Sequence, residues 1–173
     1  MKRAFLVLGP EDTGTRLATK ILLNAGCFGT DNHRQDFDNG DFRELDPIVW
    51  RRSVPHLGSW LDLQKLLTPL EEQGYDVNAV VTTRDWWVTA VAQVKSNHVK
   101  TVEEGLEHLE RAYITIFDQL CQCSVSYCML VYESLFLNPI KVQCALLQNL
   151  QLRIPRVFVP IRNENQKHWE AKS

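Results

Sequence analysis

Short continuous apolar runs alternate along this chain with stripes of apolar residues spaced three and four apart. The first run is Ala4-Phe5-Leu6-Val7-Leu8, and unbroken runs of that length suit strands covered on both faces. A helix is predicted over residues 15–25, where Leu17, Ala18, Ile21, Leu22 and Ala25 share one face. Gly26 suits its left-handed C-terminal cap. Pro47-Ile48-Val49-Trp50-Arg51-Arg52 predicts a second strand and Tyr127-Cys128-Met129-Leu130-Val131-Tyr132 a fourth. Between them, Asn78-Ala79-Val80-Val81-Thr82-Thr83 is continuous and β-branched, as a central parallel strand should be.

Helix signals fill the gaps between these strands. Ser59 with Asp62 starts a short helix, and Thr68-Pro69-Leu70-Glu71 restarts one by a capping box with proline at its first position, ending at Gly74. Asp85 can cap a helix whose apolar stripe is Trp87, Val91 and Val94. Thr101 and Glu104 form a second capping box, followed by Val102, Leu106, Leu109, Tyr113, Phe117 and Leu120 at helical spacing. Asn138-Pro139 opens a last helix with Ile140, Cys144, Leu147 and Leu150 on its buried side. The alternation predicts an α/β fold, one three-layer domain over residues 1–173 with a mainly parallel central sheet.

Two segments depart from the pattern. Residues 27–47 form a long acidic loop without period, with five Asp and one Glu against two Arg between Asp31 and Asp46. Such a loop is either functional or a solvated excursion. The tail over residues 153–173 carries five basic residues against two acidic ones and is expected to fray.

Composition narrows the function classes. At 173 residues and 20.0 kDa the chain fits one domain, and folding at this size removes roughly 70% of the unfolded surface. Charged residues at 23% and hydrophobic ones at 45% exclude wholesale disorder. A formal charge of −2 argues against a general nucleic-acid binder. No apolar run approaches the ~20 residues of a membrane span. The five-residue opening run breaks at Gly9-Pro10, too early for a signal peptide, so it reads as a strand and the protein is expected in the cytoplasm. Five cysteines without framework spacing fit reduced thiols, and Cys121-Gln122-Cys123 with Cys128 lacks the spacing of a zinc site. No metal is predicted.

Candidate chemistry begins where the first strand meets its helix, at Gly9-Pro10-Glu11-Asp12-Thr13-Gly14-Thr15-Arg16. Glycines let the backbone approach a ligand, and the helix N-terminus adds amides and a positive dipole end, so phosphate or a similar anion fits. The spacing is that of a P-loop, but Thr15-Arg16 stands where Lys-Ser/Thr belongs. Arg16 supplies instead a planar fork suited to phosphate or sulfate oxygens. A structural glycine turn is the plain alternative. Arg84 ends the central strand, where open α/β sheets bind ligands, against the alternative of a structural ion pair. Arg51 and Arg52 end the second strand, and alternation lets only one of them enter a given cleft. His56 and His33 are candidate bases or plain surface histidines. Trp86 could stack a base, whereas Trp87 falls on the apolar stripe and reads as core.

Three segments together resemble the sulfotransferase family. Thr13-Gly14-Thr15-Arg16 after Leu8-Gly9-Pro10 is similar to the family's 5′-phosphosulfate loop. Val80-Val81-Thr82-Thr83-Arg84-Asp85 resembles the strand whose Arg-Asp end holds the 3′-phosphate. Leu130-Val131-Tyr132-Glu133-Ser134-Leu135, with Asn138-Pro139 and Leu150-Gln151-Leu152, resembles a third family segment, and the three span residues 4–152 in the expected order. The family's basic loop residue falls on Asp12, and an expected serine falls on Ala92, where the neighbouring Gln93 could donate instead. The resemblance is to a short, divergent member, of bacterial or viral type.

The resemblance implies transfer of a sulfuryl group from 3′-phosphoadenosine 5′-phosphosulfate, as co-substrate, to a hydroxyl or amine acceptor. It implies that Asp12, Thr13, Gly14, Thr15, Arg16, Arg84 and Gln93 bind this nucleotide, with Arg162 from a late basic segment, residues 162–169, closing over it. It implies His56 as the base and Arg16 as stabiliser of developing charge, without metal. Acceptor specificity would live in the 27–47 loop and around residues 53–60. Two alternatives stay open. One is a small P-loop nucleotide kinase-like phosphotransferase, and the other is a non-catalytic nucleotide-binding or adaptor protein that kept the fold.

Overall fold

The computed structural model describes residues 1–31, 45–56 and 58–166. The strands are β1 (Lys2–Gly9), β2 (Phe28–Gly29), β3 (Ile48–Ser53), β4 (Tyr75–Thr83) and β5 (Ser126–Val131). The helices are α1 (Thr15–Asn24), α2 (Leu63–Glu72), α3 (Trp86–Lys95), α4 (Val102–Gln122), α5 (Tyr132–Leu137) and α6 (Pro139–Asn149). All five strands are parallel, in the order β2-β3-β1-β4-β5. The predicted α/β class therefore holds, as a single domain with helices on both faces.

β1 is central, and its alternation divides the core. Ala4, Leu6 and Leu8 face a cluster with α2 and α4, while Phe5 and Val7 face α1 and α6. All of these side chains are buried to within a few per cent, and each of Phe5, Leu6, Val7 and Leu8 contributes roughly 1.5–3 kcal/mol by leaving water. None of the described helices is long and apolar enough to cross a membrane.

Several expectations are corrected. The two helices predicted near residues 59–74 are one helix, α2, capped by Asp62 Oδ1 accepting from the Lys65 amide at 3.1 Å, with Pro69 inside it. An interior proline costs about 3 kcal/mol, but Leu63, Leu66, Leu67 and Leu70 continue one buried stripe across it. Four buried leucines outweigh one proline. The stripe assigned to α3 is also wrong. Val88, Thr89, Ala90, Ala92 and Gln93 are its buried face, and Trp87 is 37% exposed rather than core. Tyr132 ends no strand but opens α5. A two-residue strand, β2, lies in the segment read as a loop and pairs with β3. Residues 32–44 of that segment, His33 among them, lie outside the described residues.

The tail does not fray over its described part. Gln143 is fully buried, and its amide both donates to the Val159 carbonyl (2.9 Å) and accepts from the Val159 amide (3.1 Å). Asn24 donates to the Val157 carbonyl at 2.7 Å, while Val159 and Ile161 pack on the α1/α6 core. Asn165 is completely buried.

Candidate functional site

The parallel sheet brings the C-terminal ends of β1, β3 and β4 side by side, with Gly9 opposite Ser53 and Leu8 opposite both Arg52 and Val81. The loop after β1 closes over this edge. A Cβ on Gly9 would lie 2.2 Å from Thr82 Oγ1, so only glycine lets the strands approach here. Thr13 Oγ1 donates to the Pro10 carbonyl at 2.7 Å, so its contact with Thr82 Oγ1, 2.8 Å away, is one it accepts. Thr13 is 1% exposed and holds the loop's shape.

Asp12 (φ 65°) and Gly14 (φ 96°) take left-handed backbone. No side chain caps α1, which leaves the first-turn amides without intrahelical acceptors. The dipole end and those amides open onto a cavity of about 800 Å³. Arg16, Lys20, Arg51, Arg84 and Arg162 all line it, against Glu11, Asp12 and Glu164. A chain of net charge −2 thus gathers five cations around one cleft. A smaller cavity, about 260 Å³, lies at the opposite edge of the sheet beside Arg3 and Asp76.

Strand alternation decides between the two β3 arginines. Arg51 points to the α1 side, where its Nη1 donates to Thr15 Oγ1 at 3.4 Å. Arg52 points to the other face and donates to Ser59 Oγ at 3.1 Å. Arg51 is 4% exposed, and its Nε and Nη2 have no hydrogen-bond partner among the described residues. Burial draws its pKa down to about 10, with Arg16 pressing the same way and Asp31 opposing.

Arg84 is held more firmly. Its Nε donates to Asn165 Oδ1 (2.7 Å), its Nη1 donates to the Asp12 carbonyl (3.0 Å), and its guanidinium lies 4.7 Å from the Tyr132 ring centre. Asn165 also donates to Glu133 Oε1 (2.7 Å), and Tyr132 Oη donates to the Arg162 carbonyl (2.8 Å). These bonds dock the tail onto the site. Nη2 of Arg84 has no partner among the described residues. Burial lowers the Arg84 pKa, while Tyr132, Glu133, Asp12 and Glu164 counteract it.

His56 lines the cavity beside Glu11, with Nδ1 3.8 Å from Oε1. His98 Nδ1 lies 2.9 Å from Glu11 Oε2. Burial lowers the His56 pKa, and Arg52, Arg51 and His98 lower it further. Burial raises the Glu11 pKa; His98 opposes this and Asp12 adds to it.

The cavity therefore brings together Asp12, Gly14, Thr15, Arg16, His56, Arg84 and Arg162 of the predicted set. Thr13 and Gln93 lie behind it. Gln93 is 2% exposed and its amide donates to the Glu11 carbonyl at 3.0 Å, so it braces the loop from beneath. Trp86 stacks on Tyr113, with centroids 5.8 Å apart and planes inclined at 13°, away from the cavity lining. Glu11, His98 and Asn165 were not singled out from the sequence. Glu11 stood inside the glycine loop and Asn165 inside the late segment, whereas nothing local marked His98.

Among solved structures, mouse sulfotransferase SULT7A1 complexed with PAP is similar, with a TM-score of 0.53 and 12% identity. The likeness covers 99% of this chain and 64% of that one, so this chain spans less than two thirds of that protein's length. At this identity the likeness is one of fold. No family model matches the chain, and no curated protein matches it by sequence.

Proposed function

We propose that this cavity binds 3′-phosphoadenosine 5′-phosphosulfate and that the protein is a cytoplasmic transferase moving the sulfuryl group to a hydroxyl or amine. The observation that carries the reading is the pair Arg51 and Arg84. Both are buried, both keep guanidinium nitrogens without partners among the described residues, and both line the cavity beside the glycine loop. Burying a charge without full compensation costs several kcal/mol. Glu133, Asp12 and Glu164 offset part of that cost at Arg84 and Asp31 part of it at Arg51. An anion reaching the open nitrogens of both would supply the rest. A fold shared with a sulfotransferase solved with PAP supports the choice of anion.

In this reading the α1 amides, Thr15 and Arg51 take the 5′ end of the nucleotide, and Arg84 with Arg162 takes the 3′-phosphate. The acceptor oxygen or nitrogen bonds to sulfur as the bond from sulfur to the 5′-phosphate oxygen breaks. Arg16 and the amides stabilise charge on that departing oxygen. The acceptor's proton passes to His56, whose lowered pKa keeps it neutral and able to accept at pH 7. Thr13 and Gln93 keep the loop in place.

A second reading has one observation in its favour. Asp12 stands where the resembled family has a basic residue, and its Oδ2 is buried without a hydrogen-bond partner among the described residues. A carboxylate there opposes an incoming anion and fits a nucleotide-binding protein without catalysis. Following 3′-phosphoadenosine 5′-phosphosulfate by chromatography, with simple phenols, alcohols and primary amines offered as acceptors, separates the two. The transferase reading expects it to be converted to 3′,5′-diphosphoadenosine, roughly 10²–10⁴-fold more slowly by His56→Ala. Binding without conversion would establish the second reading.

A further inference from the structure

Glu11 lies between two histidines on the cavity wall. Its Oε2 is 2.9 Å from His98 Nδ1 and its Oε1 is 3.8 Å from His56 Nδ1. The carboxylate comes from the loop after β1, His56 from the segment after β3, and His98 from the segment after α3. Three separate elements therefore meet at one acid–base cluster. Glu11 is only 15% exposed in its side chain and His56 13%. The Gln93 amide also holds the Glu11 backbone carbonyl at 3.0 Å, fixing the point from which the carboxylate projects.

We propose that Glu11 is the positioning residue of the base His56, and that His98 is the clamp that holds Glu11. This rests on the transferase reading for the identity of the reaction. When His56 takes the acceptor's proton on Nε2, Nδ1 remains a donor facing Glu11. The imidazolium then forms beside Arg51, Arg52 and His98, all of which disfavour it. Glu11 is the carboxylate placed to compensate, since its Oε1 lies 3.8 Å from His56 Nδ1 while Glu164 stands with the tail by Tyr132. The first contact, at 2.9 Å, sets His98 Nδ1 directly against the carboxylate, close enough to hold it when His98 carries its proton there. The second, 3.8 Å, has room to shorten once His56 is charged. A carboxylate facing the second nitrogen of a catalytic histidine fixes its tautomer and orientation and stabilises the imidazolium that forms.

Imidazole nitrogen NMR on the full chain, titrated from pH 5 to 8, tests this in wild type, Glu11→Gln and Glu11→Asp. Glu11→Gln removes the charge with little change of shape. It should move the His56 titration midpoint to lower pH, and should shift the His98 tautomer away from Nδ1–H. Glu11→Asp restores charge at a greater distance and should fall between the two. An unchanged His56 midpoint in a folded Glu11→Gln protein would overturn the proposal, as would Glu11→Asp behaving like Glu11→Gln. Titration with 3′,5′-diphosphoadenosine in the same tube separates the two claims. If the His56 midpoint moves as expected and the nucleotide fails to bind, the transferase reading falls and the acid–base cluster stands.

Discussion

Arg51 and Arg84 stand at the ends of neighbouring parts of one sheet, are almost equally buried, and are held in opposite ways. Arg84 arrives fully framed. It has two hydrogen bonds, an aromatic ring beneath it, and a shell of Glu133, Asp12 and Glu164 that offsets the cost of burial. Arg51 has one long contact to Thr15, and Arg16 repels its charge more than Asp31 supports it. One guanidinium is thus part of the fold's own fastening, joining β4 to the tail, and the other waits for charge from outside. A site can be half built into the structure and half completed by its ligand.

The most disruptive way to break that arrangement is to remove the turn between the two arginines. Gly14 sits at φ 96°, and a Cβ there would come within 3.1 Å of the Tyr132 ring that carries Arg84. Gly14→Val should therefore abolish nucleotide binding, with strain of about 1–2 kcal/mol in the free protein. Calorimetry and a thermal melt check both parts. Unchanged affinity in a folded Gly14→Val protein would make the loop a structural turn.

Arg84→Ala sharpens the division of labour between the two ends of the nucleotide. It should weaken 3′,5′-diphosphoadenosine by roughly ten- to a hundredfold, as a charge-assisted contact of about 1.5–3 kcal/mol requires. The analogue lacking the 3′-phosphate should lose much less. Equal losses would remove Arg84 from the 3′-phosphate role.

Stability without ligand separates the two arginines most plainly. Arg84→Met leaves Asn165 Oδ1 and the Asp12 carbonyl without their donors, and should lower Tm by roughly 3–10 °C. Arg51→Met removes a buried charge that has no side-chain ion pair among the described residues and only Asp31 to support it, and should leave Tm unchanged or raise it. Both variants should lose nucleotide affinity. Equal destabilisation by the two would erase the contrast.

The smallest expected effect is in pH. The His56 pKa is lowered by burial and by the nearby arginines, so its neutral form persists to lower pH than that of an ordinary histidine. Turnover should rise with pH through a midpoint below about 6.5 and stay flat above it. A midpoint above that value would assign the limb to another group.

Much of the fold was legible because both of its periods were strong. β1 and the core of β4 read directly from unbroken apolar runs, and the Thr101 cap of α4 from its box, with Thr101 Oγ1 accepting from the Glu104 amide at 3.2 Å. The errors came where tertiary burial overrode a local signal. Pro69 suggests a helix start but lies inside α2, because its leucines belong to one core stripe. Trp87 matched a helical stripe whose true buried face is set by α4 packing on α3. Within the site, the glycine loop and Arg84 were visible because strand ends and glycines mark themselves in sequence. The choice of Arg51 over Arg52 followed only from which face α1 covers. The Glu11–His98 contact joins residues 87 positions apart, and no local pattern encodes such a meeting. Asn165 was missed for the same reason, since its burial depends on Arg84 and Glu133.

The central claim is that the cleft is built for a nucleotide bearing a 3′-phosphate and a 5′-phosphosulfate. Titration calorimetry of the wild-type protein with 3′,5′-diphosphoadenosine, run beside ATP with magnesium, tests it most directly. The account predicts saturable one-to-one binding of the first and no heat of binding from the second. Binding of ATP with magnesium and none of 3′,5′-diphosphoadenosine would contradict it and assign the cleft to a phosphotransferase.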